Sequence, residues 1–149
     1  MLSGELLSVS QQATDGQRGT LSRVLVIDDD TAVAKMIAHI LRASHDVVTE
    51  ISPESALARL LGGEAFDLIL CDITMPEMSG IQVYEAIHSI GRHASARFVF
   101  MTGGGLSMEE DGYLSQAGVP RLEKPFRPAE LRSRVRELID TLRPAGAVD

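Results

Sequence analysis

The chain has 149 residues, 44% of them hydrophobic, with 14 Lys and Arg against 21 Asp and Glu, a net charge of −7. That length favours one domain with a real core, and an acidic chain does not steer itself to nucleic acid. The single cysteine, Cys71, excludes an internal disulfide, no apolar run is long enough to span a bilayer, and the start MLSGELLSVS lacks the basic and long apolar stretches of a secretory signal, so the expectation is a soluble cytoplasmic protein.

Residues 1–21, with QQATDGQRGT, are polar and without period, and read as a flexible tail or linker. RVLVID (23–28) is a continuous apolar strand. TAVAKMIAHILRA (31–43) sets Val33, Met36, Ile37, Ile40 and Leu41 at helical spacing behind Asp30, a suitable N-cap. DVVTE (46–50) is a short strand, and PESALARLL (53–61) a helix that starts on Pro and stops before Gly62 and Gly63. DLILCD (67–72) is a third strand, IQVYEAIHSI (81–90) a helix ended by Gly91, and ARFVFMT (96–102) a fourth strand. SMEEDGYLSQA (107–117) is a weak helix with Gly112 inside it, at a cost of roughly 1 kcal/mol against Ala. VPRLE (119–123) is a fifth strand. PAELRSRVRELIDTL (128–142) is a strong last helix with Leu131, Val135, Leu138, Ile139 and Leu142 on one face, and 143–149 is a tail.

Five strands alternating with five helices predict an α/β fold whose parallel sheet is covered on both faces. Ligands of such sheets sit at the carboxyl ends of the strands. Here strand 1 ends at Asp28 and Asp29, strand 3 at Asp72 and strand 4 at Thr102, and Lys124 follows strand 5. Clustered carboxylates raise one another's pKa, and a divalent cation removes that penalty. Hard oxygen donors suit Mg²⁺, which keeps several waters and commonly accompanies phosphate. Lys124 adds a positive charge for an anionic oxygen and Thr102 a hydroxyl. A carboxylate can also accept a phosphoryl group covalently.

VIDDD, CDITMPEMSG, FVFMTGG and LEKPF, in this order, resemble a response-regulator receiver domain over residues 22–142. The resemblance implies a (βα)5 flavodoxin-like, doubly wound sheet of order 2-1-3-4-5. It implies that Asp72 is the phospho-acceptor and that Asp28 and Asp29 hold Mg²⁺, Asp29 the more directly, with the main-chain carbonyl of Thr74 as a further ligand. Thr102 falls on the switch hydroxyl, Lys124 on the phosphoryl-pairing lysine, and Lys124–Pro125 on a peptide bond usually cis. Gly80 would permit the turn before the third helix. The implied phosphoryl donor is a histidine kinase or a histidine phosphotransfer protein, with no direct nucleic-acid or membrane contact, and a homodimer would use the face of the fourth helix, fifth strand and fifth helix. An isolated receiver would catalyse only its own phosphotransfer and dephosphorylation. Kinase activity would belong to a larger hybrid sensor kinase, an alternative context for the chain.

Other residues have plainer readings. Asp30 is a helix cap, Cys71 a small buried hydrophobe, and His39, His45, His88 and His93 lie at the surface without ligand spacing. Gly103 to Gly105 form a loop and no P-loop, because no Gly-Lys-Ser/Thr follows. The arginines of the last helix, mixed with acids, are a solvated face. A Mg²⁺-dependent phosphohydrolase would need a second acid two residues after Asp72, where this chain has Thr74, and a flavin carrier would not place DDDT beside a phosphate. Many receivers carry Tyr or Phe three residues before the lysine and this chain has Arg121, a switch-position residue whose charged head is expected to stay in water. That departure favours a relay, a phosphate sink or a kinase-attached receiver over a switch that buries a ring.

Overall fold

The computed structural model describes residues 21–142, so the two predicted tails, 1–21 apart from Leu21 and 143–149, lie outside the described residues. The elements are β1 (Ser22–Ile27), α1 (Thr31–Leu41), β2 (His45–Glu50), α2 (Pro53–Leu61), β3 (Leu68–Asp72), α3 (Gly80–His88), α4 (Arg92–Ser95), β4 (Phe98–Thr102), α5 (Met108–Ala117), β5 (Arg121–Glu123) and α6 (Pro128–Thr141). The five strands form one parallel sheet in the order β2-β1-β3-β4-β5.

The central strands are apolar throughout because both faces are covered, and alternate side chains feed two cores. Val24, Val26, Leu68, Leu70, Val99, Met101 and Leu122 pack with α1 and with Leu131, Val135, Leu138 and Ile139 of α6. Leu25, Ile27, Ile69, Cys71, Phe98 and Phe100 pack on the other face with Ala56 of α2, Val83 and Tyr84 of α3, and Leu114 of α5.

Three local expectations are corrected. Met36 is exposed, because α1 buries Ala34 and Ala38 beside Ile37, Ile40 and Leu41, and the two alanines let the helix sit close on a face rotated away from Met36. A four-residue helix, α4, occupies Arg92–Ser95, where it shortens β4 to begin at Phe98. β5 is three residues long rather than five. Helix starts follow side-chain caps: Asp30 accepts from the amides of Ala32 and Val33, and Ser79–Gln82 and Ser107–Glu110 each close a reciprocal capping box.

Candidate phospho-acceptor site

The parallel register brings the ends of β1, β3 and β4 side by side: Ile27 pairs with Cys71, and Asp72 with Met101. Asp28 follows Ile27, and Thr102 follows Met101. Asp28, Asp72 and Thr102 are buried, at 1%, 7% and 4% relative exposure, whereas Asp29 is exposed. One carboxylate oxygen from each of Asp28, Asp29 and Asp72 lies within 4.8 Å of the others.

Lys124 supplies the nearest positive charge. Its ammonium donates to Asp28 Oδ2 at 2.8 Å and to Asp72 Oδ1 at 2.9 Å. It is aimed there by β5 and by its own amide, which donates to the carbonyl of Thr102 at 2.7 Å. The Lys124–Pro125 peptide bond is cis. The remaining oxygen of Asp28 accepts from the Asp30 amide at 3.0 Å, so this carboxylate is fixed at both ends. Asp30 itself is taken up in capping α1.

Burial, then the charges of Asp28 and Asp29, push the Asp72 carboxyl above the ordinary carboxylate range, and the Lys124 hydrogen bond only partly opposes them. Burial pulls the Lys124 ammonium down, but its bonds to Asp28 and Asp72 outweigh that and leave it raised. The Cys71 thiol, fully buried beside Asp72, is pushed well up by desolvation and is not a nucleophile.

Gly80 has a role that the turn reading does not capture. Its amide donates to the Ile73 carbonyl at 2.8 Å, which closes the loop after β3. A Cβ at this position would stand 2.3 Å from the carbonyl oxygen of Asp72 and 3.0 Å from Ile73 Cα. The glycine is there because α3 begins against the backbone of Asp72. No sequence signal separates that need from a turn glycine.

Thr74 is exposed in the same loop. The Arg121 head lies at the surface in an exposed ion pair: Nη1 donates to Asp111 Oδ1 at 2.8 Å and Nη2 to Ser115 Oγ at 3.4 Å, both on α5. One of the four histidines differs: His45 is half-buried and its Nδ1 is buried without a hydrogen-bond partner among the described residues, whereas His88 is exposed as expected, meets Ser95 Oγ at 2.7 Å and stacks on Tyr84.

The chain matches the response regulator receiver domain family over residues 24–136. It belongs to that family. It is 28% identical over 116 residues to the two-component response regulator ORR5 of rice, covering 77% of this chain and 87% of the relative. It is 35% identical over 118 residues to the transcriptional regulatory protein FixJ of Azorhizobium caulinodans, across 76% of this chain and 53% of FixJ. Its fold resembles a CheY-like receiver domain protein from Methanospirillum hungatei, with a TM-score of 0.73, 28% identity, and coverage of 83% of this chain and 97% of that one. These relatives are named as regulators, and nothing among them supports a hybrid kinase. Among the described residues, no helix is long and apolar enough to cross a membrane.

The donor set fits a hard divalent cation. Among the described residues, three carboxylates converge within ligand reach, Lys124 alone pairs with them, and no soft ligand belongs to the cluster.

Proposed function

We propose that this receiver takes a phosphoryl group from a phosphohistidine, on a histidine kinase or a histidine phosphotransfer protein in the cytoplasm, onto Asp72 in a Mg²⁺-dependent reaction. The observation that carries the reading is Lys124 reaching both Asp28 and Asp72 inside a three-carboxylate cluster. Asp28, Asp29, Asp72 and the carbonyl of Thr74 would hold the metal. When bound, it offsets the charge of the carboxylates and of the incoming phosphoryl oxygens.

Asp72 has one oxygen committed to Lys124, and the other accepts no hydrogen bond from a described residue. The free oxygen attacks phosphorus as the donor's P–N bond breaks, and the bonding pair leaves with the imidazole nitrogen. Lys124 and the Thr102 hydroxyl would then supply a phosphoryl oxygen with a cation and a donor. Positioning and charge supply the catalysis, so the receiver needs no separate general acid.

The test is incubation with a small acyl phosphate with and without Mg²⁺. Wild-type protein should take label at Asp72 only with the metal, and Asp72→Asn should take none. Labelling of Asp72→Asn at the parent's rate would move the acceptor elsewhere, and sustained turnover of many phosphate esters would favour a phosphohydrolase.

A further inference from the structure

The acceptor cluster occupies one end of the sheet, and the other end holds a cavity. β4 runs from Phe98 to Thr102 and Asp72 pairs with Met101, so Phe98 lies at the end remote from Asp72. A cavity of about 620 Å³ opens there, bordered by the last turns of α3 and α5 and by α4. Its size falls within the roughly 300–1,000 Å³ of small-ligand sites.

The lining is aromatic: Tyr84, His88, Phe98 and Tyr113 all border the cavity. His88 stacks on Tyr84 with ring centroids 5.4 Å apart, and Tyr84 meets Phe98 edge-on at 5.3 Å. The imidazole is fixed again by the buried Ser95, whose Oγ lies 2.7 Å from its Nδ1. Rings held this way lose little freedom when another ring is laid on them.

The polar groups are few. Arg92 is exposed, and its guanidinium makes no hydrogen bond or ion pair with a described residue. Arg97, five residues on, instead stands 3.9 Å from Asp67. Tyr113 brings no charge. Burial, then the charge of Glu85 and its bond to the hydroxyl, push Tyr113 up to about 12, so it keeps its proton at neutral pH. The Glu85 carboxylate is taken up by that hydroxyl and does not pair with Arg92.

An unpaired planar cation beside a stacked aromatic wall matches one kind of occupant. A guanidinium binds a carboxylate through two parallel N–H bonds, and the rings accept a flat apolar body. A neutral aromatic molecule would leave Arg92 unused, and a small inorganic anion would leave the rings unused. We propose that this cavity binds a small planar aromatic carboxylate, with its ring against His88 and Tyr113 and its carboxylate on Arg92. The site is separate from the acceptor cluster and does not rest on the reading of Asp72.

The test is a titration of the full chain without Mg²⁺, followed through its backbone amide resonances. Three probes are compared: 2-naphthoate, its neutral analogue 2-naphthamide, and acetate. 2-Naphthoate should shift amides within residues 84–98 and 113–120 saturably, with a Kd on the order of 1 mM for a ligand of this size. 2-Naphthamide should act on the same residues several-fold more weakly, and acetate should not saturate. Arg92→Gln should weaken 2-naphthoate about three- to ten-fold and leave 2-naphthamide within about two-fold. Ala117→Trp puts a large side chain at an exposed position on the cavity and should weaken both ring probes. Both replaced side chains are exposed, so the denaturant midpoints should stay near the parent's. The comparison of probes on the parent needs neither variant. No saturable shift with 2-naphthoate, saturable shifts confined to other residues, or acetate binding as tightly would overturn the site. So would undiminished binding in Ala117→Trp. Equal affinity for 2-naphthoate in parent and Arg92→Gln, or equal loss of both ring probes in that variant, would overturn the place of the carboxylate on Arg92.

Discussion

Two groups of charges flank the same sheet and behave in opposite ways. Beside β1 and β2, Arg23 pairs with Asp46 and Glu64, and Arg59 pairs with Glu64 and Glu50. Each of these carboxylates touches an arginine, and the bond from Arg23, with those from Arg59, draws the Glu64 carboxyl down despite some desolvation. At the strand ends, Asp28, Asp29 and Asp72 share a single lysine, and burial with mutual repulsion pushes the Asp72 carboxyl up. The first group is satisfied and serves the fold. The second is left in deficit of positive charge, and a fold keeps such a deficit where a ligand completes it.

The sharpest way to break this contrast is to disturb the backbone that seats Asp72. Gly80→Ala would force a Cβ to within 2.3 Å of the Asp72 carbonyl oxygen, and backbone cannot yield cheaply. We expect a loss of about 1–3 kcal/mol in denaturant unfolding. A fall of tenfold or more in labelling rate should accompany it, because small misplacements of reacting atoms are costly. An alanine variant with parental stability and labelling would show that the close approach is not needed.

Next in size is the metal. Asp29 is exposed and has no hydrogen-bond partner among the described residues, so Asp29→Ala should weaken Mg²⁺ binding by about tenfold with little loss of stability. Asp30→Ala should do the reverse. It removes the α1 cap at a cost of about 1 kcal/mol and leaves Mg²⁺ affinity near the parent's. A Mg²⁺ titration in which Asp30→Ala is the weaker binder would move the site by one residue.

Much of this was legible in the sequence because it depends on local pattern. Apolar runs that end on Asp28, Asp72 and Thr102 marked buried strands and the site end of the sheet at once. What escaped depends on tertiary fit. The rotated face of α1 is set by Ala34 and Ala38, which a search for large apolar residues underweights. The short α4 has no periodicity to read, and its Ser95 is buried against His88 only because the chain folds back there. The pairing of Arg121 with Asp111 spans ten residues between different elements, and charge pattern alone does not foretell it.

A pair of stability measurements reads the two charge groups directly. Asp72→Asn removes a buried carboxylate whose ionisation the fold disfavours, so it should raise the melting temperature of the metal-free protein by on the order of a few °C. The sign follows from the raised pKa: the ionised form is penalised at neutral pH, and the advantage of Asn shrinks as pH falls through the Asp72 pKa. Arg23→Ala should lower the melting temperature by a similar amount, since it loses both carboxylates and the stacking of its guanidinium 4.6 Å over Phe66. Asp72 labelling should be unaffected by Arg23→Ala. Shifts of the same sign in the two variants would erase the distinction between the groups.

The smallest effect concerns a group beside the arginine cluster that has no hydrogen-bond partner among the described residues. His45 opens β2 next to Asp46, and its Nδ1 is buried without a partner. Burial lowers its pKa, the charge of Arg136 on α6 lowers it further, and Asp67 before β3 opposes them. The folded state therefore binds this proton less readily than the unfolded chain. Stability from His45 is fully present above the ordinary histidine range near pH 6.5 and declines as pH falls from there towards the lowered folded pKa. The decline for one proton cannot exceed about 1.4 kcal/mol per pH unit. His45→Leu removes the proton and leaves no buried ring nitrogen in need of a partner. Denaturant unfolding at a series of pH values between about 7 and 5 should give a shallower slope for the variant than for the parent. Equal slopes would show that His45 is protonated alike in both states and that the neighbouring carboxylate, Asp67, offsets its burial.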